Sequence, residues 1–280
     1  MASIPFVKMH GIGNDFIVID NTSSWLSTEQ ITTLAPKMCC RHFGIGSDGL
    51  MLVEKGKKTE FKIRMFNPDG SLGESCGNGN RCTAIYLKEN GLISESKIEV
   101  ESSSGKLELE ILDNNHVRVN MGQPSFETDR IGIVNHSEPK FIQEKIDLGP
   151  HDCFIGTAIS MGNPHLVIFT DDINGVELEK WGPQLETHPL FSKKTNVHFV
   201  QVLDNQNIIQ KTWERGAGIT LACGSGACAC IVASSTLNLT NNDVHVKLPG
   251  GNLRIEYIVN AGVYMTGPAE TVFHGEWTLS

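Results

Sequence analysis

The chain of 280 residues is long enough for two domains, and its 40% hydrophobic and 20% charged content is typical of a folded globular protein. A net charge of −9, with no Lys/Arg-rich block, argues against a nucleic-acid partner. Because no apolar run reaches the length of a membrane span and no secretory signal precedes residue 20, we expect a cytoplasmic protein without membrane association.

Strands and one helix are predicted along the first part of the chain. A glycine turn that carries Asn14 separates two strands between Phe6 and Asp20. A helix is expected from Ser27 to Met38, with Ser27 or Thr28 as its N-cap. The other strands predicted here are Leu50–Val53, Lys62–Phe66, Lys97–Glu101, Lys106–Leu112 and Val117–Met121.

Landmarks of the first half recur in the second half, in the same order and at offsets of 146 to 149 residues. Cys223-Gly-Ser-Gly repeats Cys76-Gly-Asn-Gly, and an aromatic residue lies ten positions before each cysteine. The pattern predicts an internal duplication into two α+β lobes, strand-rich and each holding a glycine-led helix, with a boundary at the Gly-Gln-Pro signal of 122–124. The other matched pairs are Gly13-Asn14 with Gly162-Asn163, Gly49–Val53 with Asn196–Val200, and Gly105–Glu110 with Gly251–Glu256.

Eight cysteines in a long chain of this kind are more typical of reduced thiols than of a disulfide framework. There is no CxxC and no HxxxH, so a structural zinc site is not expected. Cys76 precedes two glycines and a helix-like run from Arg81 to Lys88, where backbone N–H groups and the helix dipole favour a thiolate. Taken alone, Cys76 is better explained as a packing residue beside a turn. The second Cys-Gly-x-Gly sequence, at Cys223, favours a catalytic role for both cysteines.

Two matched thiols on opposite faces of one carbon suit the inversion of a stereocentre. One thiolate removes the proton, and the other thiol delivers one from the far side. The backbone N–H groups of Gly77-Asn78 and Gly224-Ser225 would hold an α-carboxylate where negative charge grows. No pyridoxal-phosphate lysine, dinucleotide fingerprint or metal motif is visible, so we expect no cofactor and no metal.

These residues resemble the diaminopimelate epimerase family over nearly the whole chain. The resemblance implies cofactor-independent epimerisation of LL-2,6-diaminopimelate to the meso form by a cysteine thiolate/thiol pair, in lysine and peptidoglycan-precursor biosynthesis. It also implies two pseudo-symmetric lobes, each a barrel-like sheet around a central helix, and a homodimer. The stretches that carry it are GNDF at 13–16, FNPDG at 66–70, CGNGNRC at 76–82, GNPH at 162–165, TNV at 195–197, WERGAGITLACGSGAC at 213–228 and LPGG at 248–251.

The resemblance also assigns boundaries and roles. One lobe comprises residues 1–122 with a returning strand at 269–280, and the other comprises 123–268. Cys76 and Cys223 are the catalytic pair. Arg215 suits the distal carboxylate of such a substrate and Glu214 its ammonium, whereas His165 is either a packing residue or a substrate contact. The implied substrate-binding residues are Asn14, Asn67, Gly77, Asn78, Asn163, Asn196, Glu214, Arg215, Gly224 and Ser225.

The chain departs from the family pattern at Gly49, where a Gln is common, and at Pro68 and Asn80, where Ala is usual. Three other functions stay open: a proline-racemase-like isomerase, a catalytically silent binder and a thiol–disulfide switch. The charged pair Glu214-Arg215 favours a substrate with a charged distal end over the first. The presence of both cysteines speaks against a catalytically silent binder, because binding alone needs neither thiol. In a thiol–disulfide switch, oxidation of the pair would inactivate the protein.

Overall fold

The computed structural model describes residues 3–149 and 152–279 and shows an α+β protein, as predicted. Its chain divides into two compact units, one of residues up to Asn120 together with the stretch from Thr266 onward, the other Met121–Met265. In the described ranges, no helix is long and apolar enough to cross a membrane.

The strands, in chain order, are β1 (Ser3–Gly11), β2 (Asn14–Asp20), β3 (Gly49–Lys55), β4 (Phe61–Phe66), β5 (Lys97–Ser102), β6 (Gly105–Ile111), β7 (His116–Asn120), β8 (Glu144–Asp147), β9 (Cys153–Ser160), β10 (Pro164–Phe169), β11 (Asn196–Asp204), β12 (Asn207–Glu214), β13 (Gly218–Ile219), β14 (Asp243–Leu248), β15 (Gly251–Ile258), β16 (Gly262–Pro268) and β17 (Glu270–Thr278). The α-helices are α1 (Thr28–Cys39), α2 (Gly77–Glu89), α3 (Thr128–Ile131), α4 (Leu178–Glu186) and α5 (Gly224–Thr236), and a short 3₁₀ helix spans Asp113–Asn115.

Both units contain the same succession of strand pairings. In the first unit β1–β2 is antiparallel, β2–β3 parallel, β3–β4 antiparallel, β4–β5 parallel and β5–β6 antiparallel. In the second unit β9–β10, β10–β11, β11–β12, β12–β14 and β14–β15 follow the same alternation. Helices α2 and α5 occupy equivalent places, after β4 and β12, and each has 13 residues. The predicted duplication is therefore confirmed at the level of topology.

The first helix shows how the local sequence fixes an element. The Ser27 side chain accepts from the backbone N–H of Gln30 at 3.2 Å, and the Gln30 side chain accepts from the Ser27 backbone at 2.8 Å, which completes a capping box. Of the two predicted N-caps, Ser27 is the one used. The apolar side chains of α1 recur at helical spacing and pack on β2 and β3. They are Ile31, Leu34, Ala35 and Met38.

The central helix of each unit is buried on nearly all sides. Helix α2 is buried from Gly77 to Leu87 and packs against β1, β2 and β7. Helix α5 is buried from Gly226 to Ser234, mostly through small side chains, and packs against β15, β10 and β11. A helix without a solvent-exposed face must pack against other elements on all sides, and here these are strands of its own unit. Within each unit, packing therefore fixes the body of this helix, whereas α2 ends in the exposed Lys88 and Glu89.

Candidate active site

Cys76 and Cys223 occupy the same backbone position in their units, the N-cap of the central helix. Their dihedral angles are nearly equal, with φ −110° and ψ 117° for Cys76 and φ −120° and ψ 100° for Cys223. Each carbonyl accepts the first helical hydrogen bond, from Asn80 at 2.8 Å and from Ala227 at 2.9 Å. The helix predicted to start at Arg81 is α2. Its predicted start is wrong, because α2 begins at Gly77, directly after Cys76.

Side chains of the facing strands occupy the space beside Gly79 and Gly226, the flexible Met51 at Gly79 and the hydrogen-bonded His198 ring at Gly226. A Cβ on Gly79 would lie 2.6 Å from the sulfur of Met51 on β3. A Cβ on Gly226 would lie 2.2 Å from Cε1 of His198 on β11 and 2.9 Å from the sulfur of Cys223. Real Cβ atoms do not tolerate such distances, so tight packing overrides the poor helix propensity of glycine.

Substitution Gly226→Ala is expected to lower activity at least about tenfold and to lower the Tm. Alanine in a helix normally stabilises by about 1 kcal/mol relative to glycine, but the overpacking here costs about 1–3 kcal/mol, so the net sign is destabilising. His198 cannot swing aside without breaking hydrogen bonds to His165 and Thr212, each of 2.9 Å.

The measurements are the turnover number and the Tm, with Thr236→Ala at the exposed end of the same helix as control. An unchanged Tm and turnover in Gly226→Ala would show that α5 can withdraw from β11 at no cost, against the packing described here.

Asn14 links the thiol of Cys76 to a charged cluster. Its Oδ1 accepts from Nδ2 of Asn78 at 3.0 Å and from the Cys76 thiol at 3.6 Å, while its Nδ2 donates to Asp48 at 2.8 Å. Asp48 is in turn paired with Arg41 at 2.6 Å. Because a carboxylate can only accept, Asp48 fixes which end of the Asn14 amide faces the thiol. The structure thus places three predicted residues together: Asn14, Cys76 and Asn78.

Sequence reasoning missed the charged cluster itself. Arg41 also pairs with Asp15 at 2.7 Å, and the buried ammonium of Lys8 contacts the same carboxylate. Burial alone would raise the pKa of Asp15, but hydrogen bonds from Arg41 and Lys8 outweigh it and lower this pKa to about 2. Asp15 therefore stays ionised near neutral pH and keeps its pairing with Arg41, which also pairs with Asp48.

Asn67 makes its visible hydrogen bonds within its own turn. Its carbonyl accepts from the Gly70 N–H at 2.9 Å, and its Nδ2 donates to Ser71 at 2.9 Å. Gly70 has φ +86°, which only glycine adopts readily, and Pro68 is at the position where its fixed φ suits a turn. A substrate contact by the half-buried Asn67 stays a prediction.

The thiol of Cys223 is almost completely buried, with 5% of the residue exposed. Burial raises the pKa of Cys223 well above its ordinary value, and the negative charge of Glu214 raises it further. The N–H of Gly226 and the hydroxyl of Ser225 act in the opposite direction but do not compensate. At Cys223, burial and the charge of Glu214 therefore outweigh the helix N-terminus, which alone would favour the thiolate. The residue rests as a thiol.

Asn196 holds the segment that carries Glu214 and Arg215. Its Nδ2 donates to the Pro164 carbonyl at 2.8 Å, and its Oδ1 accepts from the Arg215 N–H at 3.0 Å. Glu214 accepts from the hydroxyl of Thr220 at 2.5 Å. The buried amide thus ties the end of β12 to the start of β10. Glu214 lies beside Cys223, and the positive charge of Arg215 acts on His165, whose pKa it helps to lower.

His165 belongs to a buried chain of hydrogen bonds that leads to Asn163. The distances are 2.8 Å from His165 Nε2 to Asn163 Oδ1, 2.9 Å from His165 Nδ1 to His198 Nε2, and 2.9 Å from His198 Nδ1 to Thr212 Oγ1. Since Asn163 Oδ1 accepts, the proton of His165 is on its Nε2. The unprotonated Nδ1 of His165 then accepts from the Nε2–H of His198. Burial lowers both imidazole pKa values, that of His198 to about 3, so both rings are neutral.

Comparison with known proteins identifies the family. The sequence model of diaminopimelate epimerase matches residues 6–127 and 157–272. The chain belongs to the diaminopimelate epimerase family. A diaminopimelate epimerase of Carboxydothermus hydrogenoformans is 48% identical over 275 residues, covering 98% of this chain and 99% of the relative. One of Desulforudis audaxviator is 45% identical over 276 residues, covering 97% and 98%.

Solved structures extend the likeness in fold beyond the diaminopimelate epimerase family. A phenazine biosynthesis protein of the PhzF family from Bacillus anthracis has a TM-score of 0.71 at 15% identity and covers all of both chains. A hydroxyproline epimerase from Agrobacterium vitis has a TM-score of 0.68 at 12% identity, covering 99% of this chain and 93% of that one. These likenesses confirm the predicted fold class, and the family match confirms the resemblance found in the sequence.

Proposed function

We propose that this protein epimerises LL-2,6-diaminopimelate to meso-diaminopimelate by a two-base mechanism. The observation that carries the proposal is the family membership over nearly the whole chain. In the structure, Cys76 and Cys223 are the matched N-caps of the two central helices. One sulfur takes the α-proton as the carbanion forms, and the other sulfur gives its own proton to the opposite face. The product leaves with inverted configuration, and the two sulfurs have exchanged protonation states.

Burial supports the assignment of Cys223 as the proton donor of the resting enzyme. The raised pKa keeps its proton in place until a carbanion forms. Cys76 is half-buried and is the proposed base of the same turnover. Its thiol, which lies 3.6 Å from the Asn14 carbonyl oxygen, must first release its proton to solvent before the sulfur takes the α-proton. In the next turnover from the opposite epimer the roles are reversed, as microscopic reversibility requires.

The backbone at the two helix starts supports binding of the α-carboxylate. Gly77, Asn78, Gly224 and Ser225 begin α2 and α5, where the first N–H groups have no helical acceptor. One such donor aimed at a developing negative charge is worth about 3–4 kcal/mol in acyl-transfer enzymes. A set of them supplies a substantial part of the barrier reduction without a cofactor. We propose further that Asn67, Asn163, Asn196, Glu214 and Arg215 bind the distal amino-acid end, and that Asn14 contacts the substrate beside Cys76.

The test is NMR of LL-diaminopimelate in heavy water with reduced protein that has been dialysed against a chelator, with no pyridoxal phosphate added. The α-proton signal is expected to disappear as the meso isomer forms, because every proton delivered comes from a thiol equilibrated with solvent. Absence of both exchange and meso isomer would refute the proposal. Exchange in L-proline instead would favour the proline-racemase-like alternative.

Family membership also supports a cytoplasmic homodimer that serves lysine and peptidoglycan-precursor biosynthesis. Sedimentation equilibrium should then give twice the 30.7 kDa of one chain. A mass of one chain at micromolar concentration would contradict the dimer.

A further inference from the structure

Three metal-ligating side chains converge in the second unit. They are His165 from β10, His198 from β11 and Cys223 from the start of α5, all buried. One ligand atom from each lies within 4.8 Å of the others. Inversion of a stereocentre by two thiols uses only Cys223 of the three, so the convergence of two imidazoles on that sulfur calls for its own explanation.

Strand register and one glycine bring the three residues together. Strands β10 and β11 are parallel, with His165 opposite Asn196, so His198 lies two positions along on the same face. The nitrogens His165 Nδ1 and His198 Nε2 are 2.9 Å apart. Gly226 lets the helix start approach His198, because its missing side chain leaves the space beside both His198 and the Cys223 sulfur.

The spacing is close to that of a zinc-type coordination shell. Metal–nitrogen distances of about 2.0–2.1 Å and metal–sulfur distances of about 2.3 Å place tetrahedral ligand atoms roughly 3–4 Å from each other. The two imidazole nitrogens are slightly closer than this, at 2.9 Å, and the separations from the sulfur are no more than 4.8 Å. The three residues would supply three of the four ligands after the imidazoles separate slightly and the sulfur approaches them.

The partners of the two imidazoles match those that support metal-bound histidines. A ligating histidine usually donates its second ring N–H to an oxygen, which fixes the ring. His165 already donates Nε2–H to Asn163 Oδ1, which leaves Nδ1 as the ligand atom. On His198, Nδ1 lies 2.9 Å from Thr212 Oγ1, which can accept a proton-bearing Nδ1 and so leave Nε2 as the ligand atom.

A buried acceptor behind Thr212 allows that change of tautomer. Gln210 is fully buried, its Nε2 donates to Thr212 Oγ1 at 2.9 Å, and its Oε1 has no hydrogen-bond partner among the described residues. When His198 donates to Thr212, the Thr212 hydroxyl proton needs an acceptor. Rotation of the Gln210 amide by half a turn supplies Oε1 for it. The rotation pairs Oε1 but takes Nε2 away from Thr212, so the change of tautomer is possible without a net gain or loss of hydrogen bonds.

We propose that His165, His198 and Cys223 form a reversible inhibitory site for a divalent cation of the zinc type. Two imidazoles and one thiolate select such a cation over magnesium or calcium, which prefer oxygen. Binding forms the metal–sulfur bond and releases the Cys223 thiol proton to solvent, while water or the Glu214 carboxylate takes the fourth position. The sulfur is then unable to give a proton to a carbanion. The inhibition rests on the proposed function, but the binding itself does not.

The binding is tested by titrating Co²⁺ into metal-free, reduced protein and following the thiolate-to-cobalt charge-transfer absorption. Wild type and Cys76→Ala should show it at one equivalent, and so should His245→Gln, which changes an exposed histidine of the same unit. Cys223→Ala should lose it, and His198→Gln should weaken binding by at least about tenfold. Loss in Cys76→Ala with retention in His198→Gln would overturn the site, since the cation would then bridge the two thiols.

Circular dichroism establishes that each variant is folded. If His198→Gln does not fold, Thr212→Val keeps all three ligands and removes only the oxygen behind His198, and it should weaken cobalt binding about tenfold. Unchanged affinity in that variant would overturn the proposed ligand set.

Inhibition is measured separately, as the zinc concentration that halves the initial rate and as recovery on adding a chelator. His245→Gln should match wild type, and His198→Gln should need at least about tenfold more zinc relative to its own uninhibited rate. Cobalt bound at the three residues without any loss of rate would overturn the inhibitory role and also contradict Cys223 as a catalytic thiol, while the cation site itself would stand.

Discussion

Epimerisation is expected to fall by about 10²- to 10⁴-fold when either Cys76 or Cys223 is replaced by alanine, because each removes a positioned acid or base from one face of the carbon. The two thiols act as a unit, so the double variant should be hardly slower than either single variant. Cys76 caps its helix without a side-chain capping hydrogen bond, and at Cys223 the Gly226 N–H faces the sulfur, so alanine should cost at most about 1 kcal/mol at either helix start. The measurement is kcat from LL- and from meso-diaminopimelate.

The matched control is Cys153→Ala, which changes an exposed cysteine of the second unit and should leave kcat unaltered. Circular dichroism and the Tm then separate loss of chemistry from loss of fold. Near wild-type turnover in a folded Cys76→Ala or Cys223→Ala protein would refute the two-base mechanism.

The fold could be predicted because the local helix and strand signals agreed with the internal repeat of the sequence. The Ser27 capping signal and the apolar spacing from Ile31 to Met38 fix α1 locally. The repeated landmarks required the second half to adopt the pairings of the first, and β10–β11 indeed pair as β2–β3 do. A local pattern that is supported by an independent copy of itself leaves few alternatives.

The start of α2 was missed because glycine has two different uses. Gly77 and Gly79 look like a turn on propensity alone, and a helix beginning at Arg81 follows from that. In the structure these glycines are helical, and the Met51 sulfur on β3 lies 2.6 Å from the place of a Cβ on Gly79. Nothing local to residues 77–81 reveals a sulfur on another strand.

The partners of the site residues were missed for the same reason. His198 meets His165 across 33 residues of sequence, and Asp48 meets Asn14 across 34. The parallel register that joins them is visible only once the strands are paired. The protonation state of Cys223 was also out of reach, because the sequence shows the helix start but not the burial that outweighs it.

Replacement of Arg215 by methionine is expected to lower kcat/KM for diaminopimelate by about 10²- to 10³-fold, or roughly 3–4 kcal/mol at about 1.4 kcal/mol per tenfold. The guanidinium is proposed to bind the distal carboxylate, and remote binding energy of that kind orients the reacting carbon. The substitution spares the backbone N–H that donates to Asn196 at 3.0 Å, so the segment stays in place.

Lysine provides the internal comparison, because it lacks the distal carboxylate and leaves a site built to pair that charge unsatisfied. It should be a very poor substrate of the wild type, and Arg215→Met should hardly worsen it. The control is Arg254→Met, which removes an exposed arginine paired with Asp243 at 2.7 Å on neighbouring strands of the same unit and should change neither rate. Four values of kcat/KM, from two substrates and two proteins, separate the possible roles. Equal losses on both substrates would mean that Arg215 supports the fold or the thiols, whereas a loss confined to diaminopimelate assigns the guanidinium to the end of the substrate that never reacts.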